Sequence, residues 1–326
     1  MKAFGIDISV WQTNDAKNPT RFFDPFIAKE KGVQFAFIRA SSGLAKDNAV
    51  DHVAETFTAA GIPHGFYHYA YPQYAYDKQV DFFWNVIKDK HQDLPPVLDL
   101  EQPGIDGKYL TVSFTQKFLG ALGSKCGKTP VIYTSPSFWN AMGGSNTATW
   151  ALTYPLWIAN YKNAFSFPQY GNPETVDNGL ASPTLPNIWQ ANGIPWTWWQ
   201  YCAAGDGEFF GGNYAYSVNK SALDMNAFNG TIVEMYKRFA IGDVTPEPPD
   251  PPFPVDTGYA ETTVALRGRT APIYIADQSA LVYPQGTKLE KVKANTYYEE
   301  TKKEDASGIT WRRVIMYVSD KYVKDV

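Results

Sequence analysis

The chain has 326 residues, 16% of them aromatic and 19% charged, which excludes disorder as a global state and leaves ample material for a core. Lys and Arg number 29 against 33 Asp and Glu, a net charge of −4, so the composition excludes electrostatic wrapping of nucleic acid or of an anionic membrane. No apolar run reaches the ~18 residues of a membrane span, so no insertion is expected. The 16% aromatic share is the compositional feature that needs a reason.

In chain order, β-rich runs alternate with stretches of helical period. The strand candidates are Phe4–Ser9, Phe35–Ala40, His64–Ala70, Pro96–Glu101, Pro130–Ser135, Leu156–Tyr161, Thr197–Tyr201 and Ala222–Asn226. Helices are predicted over Pro25–Lys31, Asp47–Ala60, Tyr76–Lys90 and Thr111–Lys125, with Gly32, Gly61 and Gly127 at stop positions. Eight strands in this pattern predict an α/β fold, an irregular barrel of triosephosphate-isomerase type with about five helices. The stretch from Asn163 to Trp196, rich in Pro, Asn and Gly, reads as long loops. Asp243–Gly258 holds six prolines and reads as a semi-rigid linker. It divides a domain over 1–242 from a small, near-neutral, all-β module over 259–326.

The opening MKAFGIDISVWQ does not read as a signal peptide, because Asp7 interrupts the apolar run; synthesis in the cytosol is the expectation. Cys126 and Cys202 show no metal spacing and read as two thiols rather than a bridge. His64 and His68 lie four apart, but on a strand and with no Glu between them, so a structural role is expected rather than a zinc pair.

Strand parity points to the chemistry. Alternation places Asp7 with Gly5 and Ser9, Asp99 with Val97 and Glu101, and Asp224 with Asn226, each set opposite an apolar one. Three strands thus deliver acidic groups to one face, expected near their C-terminal ends, where barrel enzymes build their sites. Clustered carboxylates repel, so at least one stays protonated near neutrality and can act as a general acid, as glycosidic cleavage requires. The competing reading for each acid alone is a helix cap or an ion pair.

The blocks GIDISVWQ, FAFIRASSG, AGIPHGFYHYA, PVLDLE, VIYTSPSFW, LWIANY, WWQY and LDMNAFNG occur in the order and at about the spacing found in glycoside hydrolase family 25, the Chalaropsis-type N-acetylmuramidases. The resemblance covers most of residues 1–235. It implies an eight-stranded barrel, cleavage of the β-1,4 bond between N-acetylmuramic acid and N-acetylglucosamine in peptidoglycan, and no cofactor. It further implies Glu101 as general acid, Asp99 as the residue that orients or stabilises the reacting sugar, and Asp7 and Asp224 as the remaining acids. Tyr67, Tyr133, Trp157 and Trp199 match groove aromatics. Ser42 stands where many members carry Glu, which puts in doubt any mechanism requiring that Glu. After the linker, ALRGRTAP, PQGTKLEKV and SDKYV resemble blocks of bacterial SH3-like wall-binding domains. Together these imply a phage or prophage endolysin that acts on a Gram-positive wall after release. A binding protein that has lost catalysis and a chitinase-like enzyme are the alternatives.

Overall fold

The computed structural model describes residues 2–13, 22–144, 148–161, 182–212 and 223–241, with further short strands between 259 and 325. Two compact units divide the chain, Met1–Val244 and Thr245–Val326. Among its described residues the second unit holds strands only. Five of them form an antiparallel sheet that includes Tyr259–Thr262, Lys288–Lys293 and Val323–Asp325, and Leu266–Gly268 pairs separately with Leu281–Tyr283.

The first unit is a closed barrel. Its strands are β1 (Phe4–Ile8), β2 (Phe35–Ser42), the short β3 (Ala45–Lys46), β4 (His64–Tyr69), β5 (Val97–Leu100), β6 (Val131–Thr134), β7 (Leu156–Ala159), β8 (Trp198–Gly205) and β9 (Leu223–Phe228). Pairing runs β1-β2-β4-β5-β6-β7-β8-β9 and back to β1, with β3 hung on β2. All eight expected strands are present, shifted by a few residues at their ends; Ala222 lies outside the described residues. Six neighbouring pairs are parallel, but β9 runs antiparallel to both β8 and β1. The barrel is therefore not the all-parallel form of a triosephosphate-isomerase barrel.

The helices are α1 (Pro25–Glu30), α2 (Val50–Ala60), α3 (Tyr76–Ile87), α4 (Val112–Cys126), α5 (Pro136–Trp139), α6 (Asn187–Ala191) and α7 (Ile232–Phe239). That makes seven among the described residues rather than about five; the additional ones are short and late. Part of the predicted loop stretch, residues 163–181, lies outside the described residues, and α6 occupies part of the rest. Local sequence sets the ends. Asp24 caps α1, followed by Pro25 at its first position. Gly61 and Gly127 terminate α2 and α4 in the left-handed region at φ 63° and 66°. Thr231 and Glu234 form a capping box on α7.

Two apolar layers follow from strand alternation. One fills the space between barrel and helices and includes Ile6, Ile38, Phe66, Leu98, Leu100 and Ile132. The other fills the barrel interior, where Phe37 stacks on Trp157 at 4.5 Å and meets Trp198 edge-on at 5.2 Å. Met235 and Phe239 of α7 join that interior cluster, Phe239 stacking on Trp198 at 4.8 Å. Much of the aromatic excess therefore serves as barrel filling. Phe37→Ala is expected to cost about 3–5 kcal/mol in urea unfolding, because no neighbour can collapse into the space.

A candidate active site in the barrel mouth

Above this apolar floor the inward positions turn polar. The mouth is a cleft of about 310 Å³ lined by Asp7, Asp99, Glu101 and Asp224, by Tyr67, Tyr133 and Trp157, and by residues that include Arg39, Tyr69, Tyr161 and Gln200. All four predicted acids are thus in one place. The route taken by Asp224 differs from the expectation. It lies at the start of β9, not the end, and reaches the mouth because that strand is antiparallel; its register partner is Asp7.

Asp7 is held by a directional network. Gln200 Nε2 donates to its Oδ2 at 2.7 Å and Asn226 Nδ2 donates to the same oxygen at 2.8 Å. Each amide is oriented in turn. Trp157 Nε1–H donates to Asn226 Oδ1 at 2.8 Å, and the Tyr133 hydroxyl donates to Gln200 Oε1 at 2.7 Å, an oxygen that also accepts from Tyr161. Burial pushes the Asp7 carboxyl up to about 6, with the Asn226 and Gln200 donors holding it from rising further. Asp224 has no such donors among the described residues. Burial, then the charges of Asp7 and Glu101, hold it well above the usual carboxylate range, and it shares a hydrogen bond with Asp7. The pair therefore holds one proton, with the charge on the partner that accepts the two amide donors, Asp7.

Asp99 and Glu101 form the second pair, on and just beyond β5. Asp99 is 4% exposed, and its Oδ1 is buried without a hydrogen-bond partner. Burial raises it well above its ordinary value, the charges of Glu101 and Asp7 add to this, and Arg39 opposes. Glu101 is exposed as a residue, at the rim. Its carboxyl sits against the cleft wall, and lost hydration raises it, with Asp7 adding; the Tyr133 hydroxyl, 3.5 Å away, and Arg39 oppose. A rim carboxyl that retains a proton and meets solvent on one side can deliver that proton to an incoming leaving group.

Two expected substrate-binding positions do not line the cleft. Trp199 faces outward from β8, fully buried, with Nε1 donating to Asn160 O at 2.9 Å and its ring edge-on to Trp196. Alternation explains the miss: in WWQY, Trp198 and Gln200 take the inward face, so Trp199 cannot. Ser42 ends β2 opposite Tyr69 and is not among the lining residues. Trp199→Phe should lower stability by about 1–3 kcal/mol in thermal unfolding and leave KM for glycan unchanged. A raised KM with unchanged stability would return Trp199 to the groove.

Tyr67 and Tyr133 are wall residues, and Trp157, only 1% exposed, is floor. The sequence reading did not single out Arg39, Tyr69, Tyr161 or Gln200. Arg39 and Gln200 were legible from parity with Phe37 and Trp198; Tyr161 lies past the end of β7, where parity gives no guide. The histidines are on the outward face of β4. His68 is fully buried, takes the Ser41 hydroxyl at 2.8 Å, gives to Gln79 Oε1 at 3.0 Å, and burial lowers it to about 4. Cys126 and Cys202 are both free thiols.

A closed barrel whose mouth gathers four carboxylates between aromatic walls defines a glycoside hydrolase. The chain belongs to glycosyl hydrolases family 25, whose family model matches residues 6–208. Lysozyme M1 of Streptomyces globisporus is 28% identical over 246 residues, which span 71% of this chain and 69% of that protein. The N,O-diacetylmuramidase of Arthroderma benhamiae is 29% identical over 181 residues, 52% of this chain and 72% of that one. Among solved structures, the bacterial lysozyme from Streptomyces coelicolor superposes with a TM-score of 0.54 at 25% identity, covering 73% of this chain and 97% of that chain.

Proposed function

We propose that the protein is a peptidoglycan muramidase that cleaves the β-1,4 bond between N-acetylmuramic acid and N-acetylglucosamine, with Glu101 as the general acid. The observation behind this reading is the pair of carboxyl groups in the cleft of a family 25 barrel: one at the rim, raised toward retaining its proton and open to solvent, and one buried two residues before it. Glu101 protonates the departing oxygen. Asp99 orients the 2-acetamido group of the reacting sugar and stabilises the positive charge that develops at its anomeric carbon, so no separate protein nucleophile is needed. The Asp7–Asp224 pair, sharing one proton, holds one further negative charge against the same centre.

The reading extends to a phage or prophage lysin that clears a Gram-positive wall, its second unit serving as an SH3-like wall-binding module. The proline-rich segment from Asp243 to Gly258 supports it, because a tether of that kind raises the local concentration of substrate at the barrel. Deleting the chain after Pro254 should then weaken attack on whole cells more than on soluble fragments; equal losses on both would remove the wall-binding role.

Purified walls tested for turbidity and for new reducing groups examine the activity itself. Clearing with a matching rise in reducing groups is expected. Clearing that frees amino groups alone would mark an amidase or peptidase and overturn the proposal.

A further inference from the structure

Four lining residues of the cleft bear directly on the charge of Asp99, and three of them push it toward protonation. Asp7 of β1, Asp224 of β9 and Glu101, just past the end of β5, line the same cleft and are of like charge. Tyr67 and Tyr69 of β4 and Tyr133 of β6 stand beside it and stay neutral, because burial holds each phenol above its ordinary range. Arg39 of β2 is the only cation among the described residues lining the cleft. A carboxylate oxygen that is buried without a donor, as Asp99 Oδ1 is, favours the neutral acid unless a positive charge offsets it.

Arg39 is built to supply that charge from a fixed place. Its Nε donates to Asp47 Oδ2 at 2.8 Å, and the Asp47 side chain is 1% exposed. Asp47 is itself clamped, accepting from Val10 N–H at 3.2 Å and from Ala49 N–H at 2.9 Å. With Nε committed to Asp47, Arg39 still lines the cleft. The strand also breaks its alternation here. Arg39 pairs with Tyr67 but Ser41 pairs with His68, so a bulge at Ala40 separates the two. Bulges of this kind re-aim side chains beside active sites. This one leaves Arg39 inward while turning Ser41 outward onto His68.

We propose that Arg39 is a positioning residue that opposes the protonation of Asp99, so that its carboxylate form stays accessible within a cluster of acids that favours the neutral one. The inference rests on the reading of Asp99 and Glu101 as the reacting pair. It assigns no substrate contact to Arg39; its action is through Asp99.

The test is the pH dependence of reducing-end release from purified peptidoglycan by the full chain. Arg39→Gln should move the acidic limb of kcat/KM upward by about one pH unit and cut the rate at the acidic end about tenfold, with KM little changed. Because that variant strands Asp47, the double variant Arg39→Gln/Asp47→Asn removes both charges and should show the same shift with a recovered melting temperature. A purely structural Arg39 would lower the melting temperature and leave the limb where it is, and an unmoved limb in the double variant overturns the proposal. Asp99→Asn, assayed alongside, separates the two ideas: full activity there would defeat the reading of the pair, whereas an inactive Asp99→Asn with an unmoved limb in the Arg39 variants defeats the role of Arg39 alone.

Discussion

Glu101→Gln should lower reducing-end release from peptidoglycan by about 10²–10⁴-fold while leaving the fold intact. The carboxamide keeps the size and polarity of the side chain but cannot give up a proton to the leaving oxygen. Little structural loss is expected, because Glu101 is exposed at the rim and, among the described residues, its one direct hydrogen-bond contact is the 3.5 Å approach of the Tyr133 hydroxyl, which already donates to Gln200 at 2.7 Å. Its charge is also unwelcome where it stands, as its raised protonation range indicates, so the melting temperature should hold or rise slightly. Since the acid acts chiefly in the transition state, kcat should fall with KM nearly constant. Activity within a fewfold of wild type would remove Glu101 from the acid role, and a lost fold would remove the claim that its charge is dispensable for stability.

Asp7→Asn should separate stability from function. The folded-state pKa of Asp7 is raised to about 6 by burial, above its unfolded value. Below the unfolded value the carboxyl is neutral in both states and the native state bears no penalty. As pH rises through about 6, the fold must accommodate a buried charge beside Asp224, and stability is lost. An Asn at this position keeps an oxygen for the Gln200 and Asn226 donors and offers its N–H to Asp224. The variant should therefore gain about 1–3 kcal/mol at pH 7–8, gain nothing near pH 4, and lose tenfold or more in turnover. Thermal unfolding across that pH range, with activity measured on the same samples, checks both halves. A gain independent of pH would contradict the electrostatic explanation, and a loss at pH 7 would show that the amide network needs the carboxylate.

Much of this site was legible before any coordinates. Period-two alternation alone brought Asp7, Asp99 and Asp224 to one surface, and the cleft unites them with Glu101. Alternation could not reveal strand direction. The parity of Asp224 is correct, but its place at the start of an antiparallel β9, opposite Asp7, follows from sheet closure, a non-local property. Trp199 shows the cost of setting block likeness above parity, since its neighbours Trp198 and Gln200 own the inward face of β8. The inward place of Arg39 follows from parity with Phe37, but its role was hidden for a different reason. A lone Arg in an apolar strand has no pattern of its own, and its meaning depends on Asp47, eight residues on, and on a bulge visible only in the pairing with β4. The short late helices escaped because segments of four or five residues complete barely one turn and carry no periodic signal. The aromatic share, too, has a divided meaning: Phe37, Trp157 and Trp198 fill the barrel, whereas Tyr67, Tyr69, Tyr133 and Tyr161 wall the cleft above it.

The retaining outcome expected of a site without a dedicated nucleophile can be read by NMR, which should show the β-anomer first in fresh product; prompt α-anomer would instead mark direct attack by water. The central claim is tested most directly by the sugar left at the new reducing ends. Purified peptidoglycan digested by the full-length chain, reduced with borohydride and analysed by mass spectrometry, should yield the alditol of N-acetylmuramic acid at the new ends. The alditol of N-acetylglucosamine in its place, or no new alditol at all, would contradict the account.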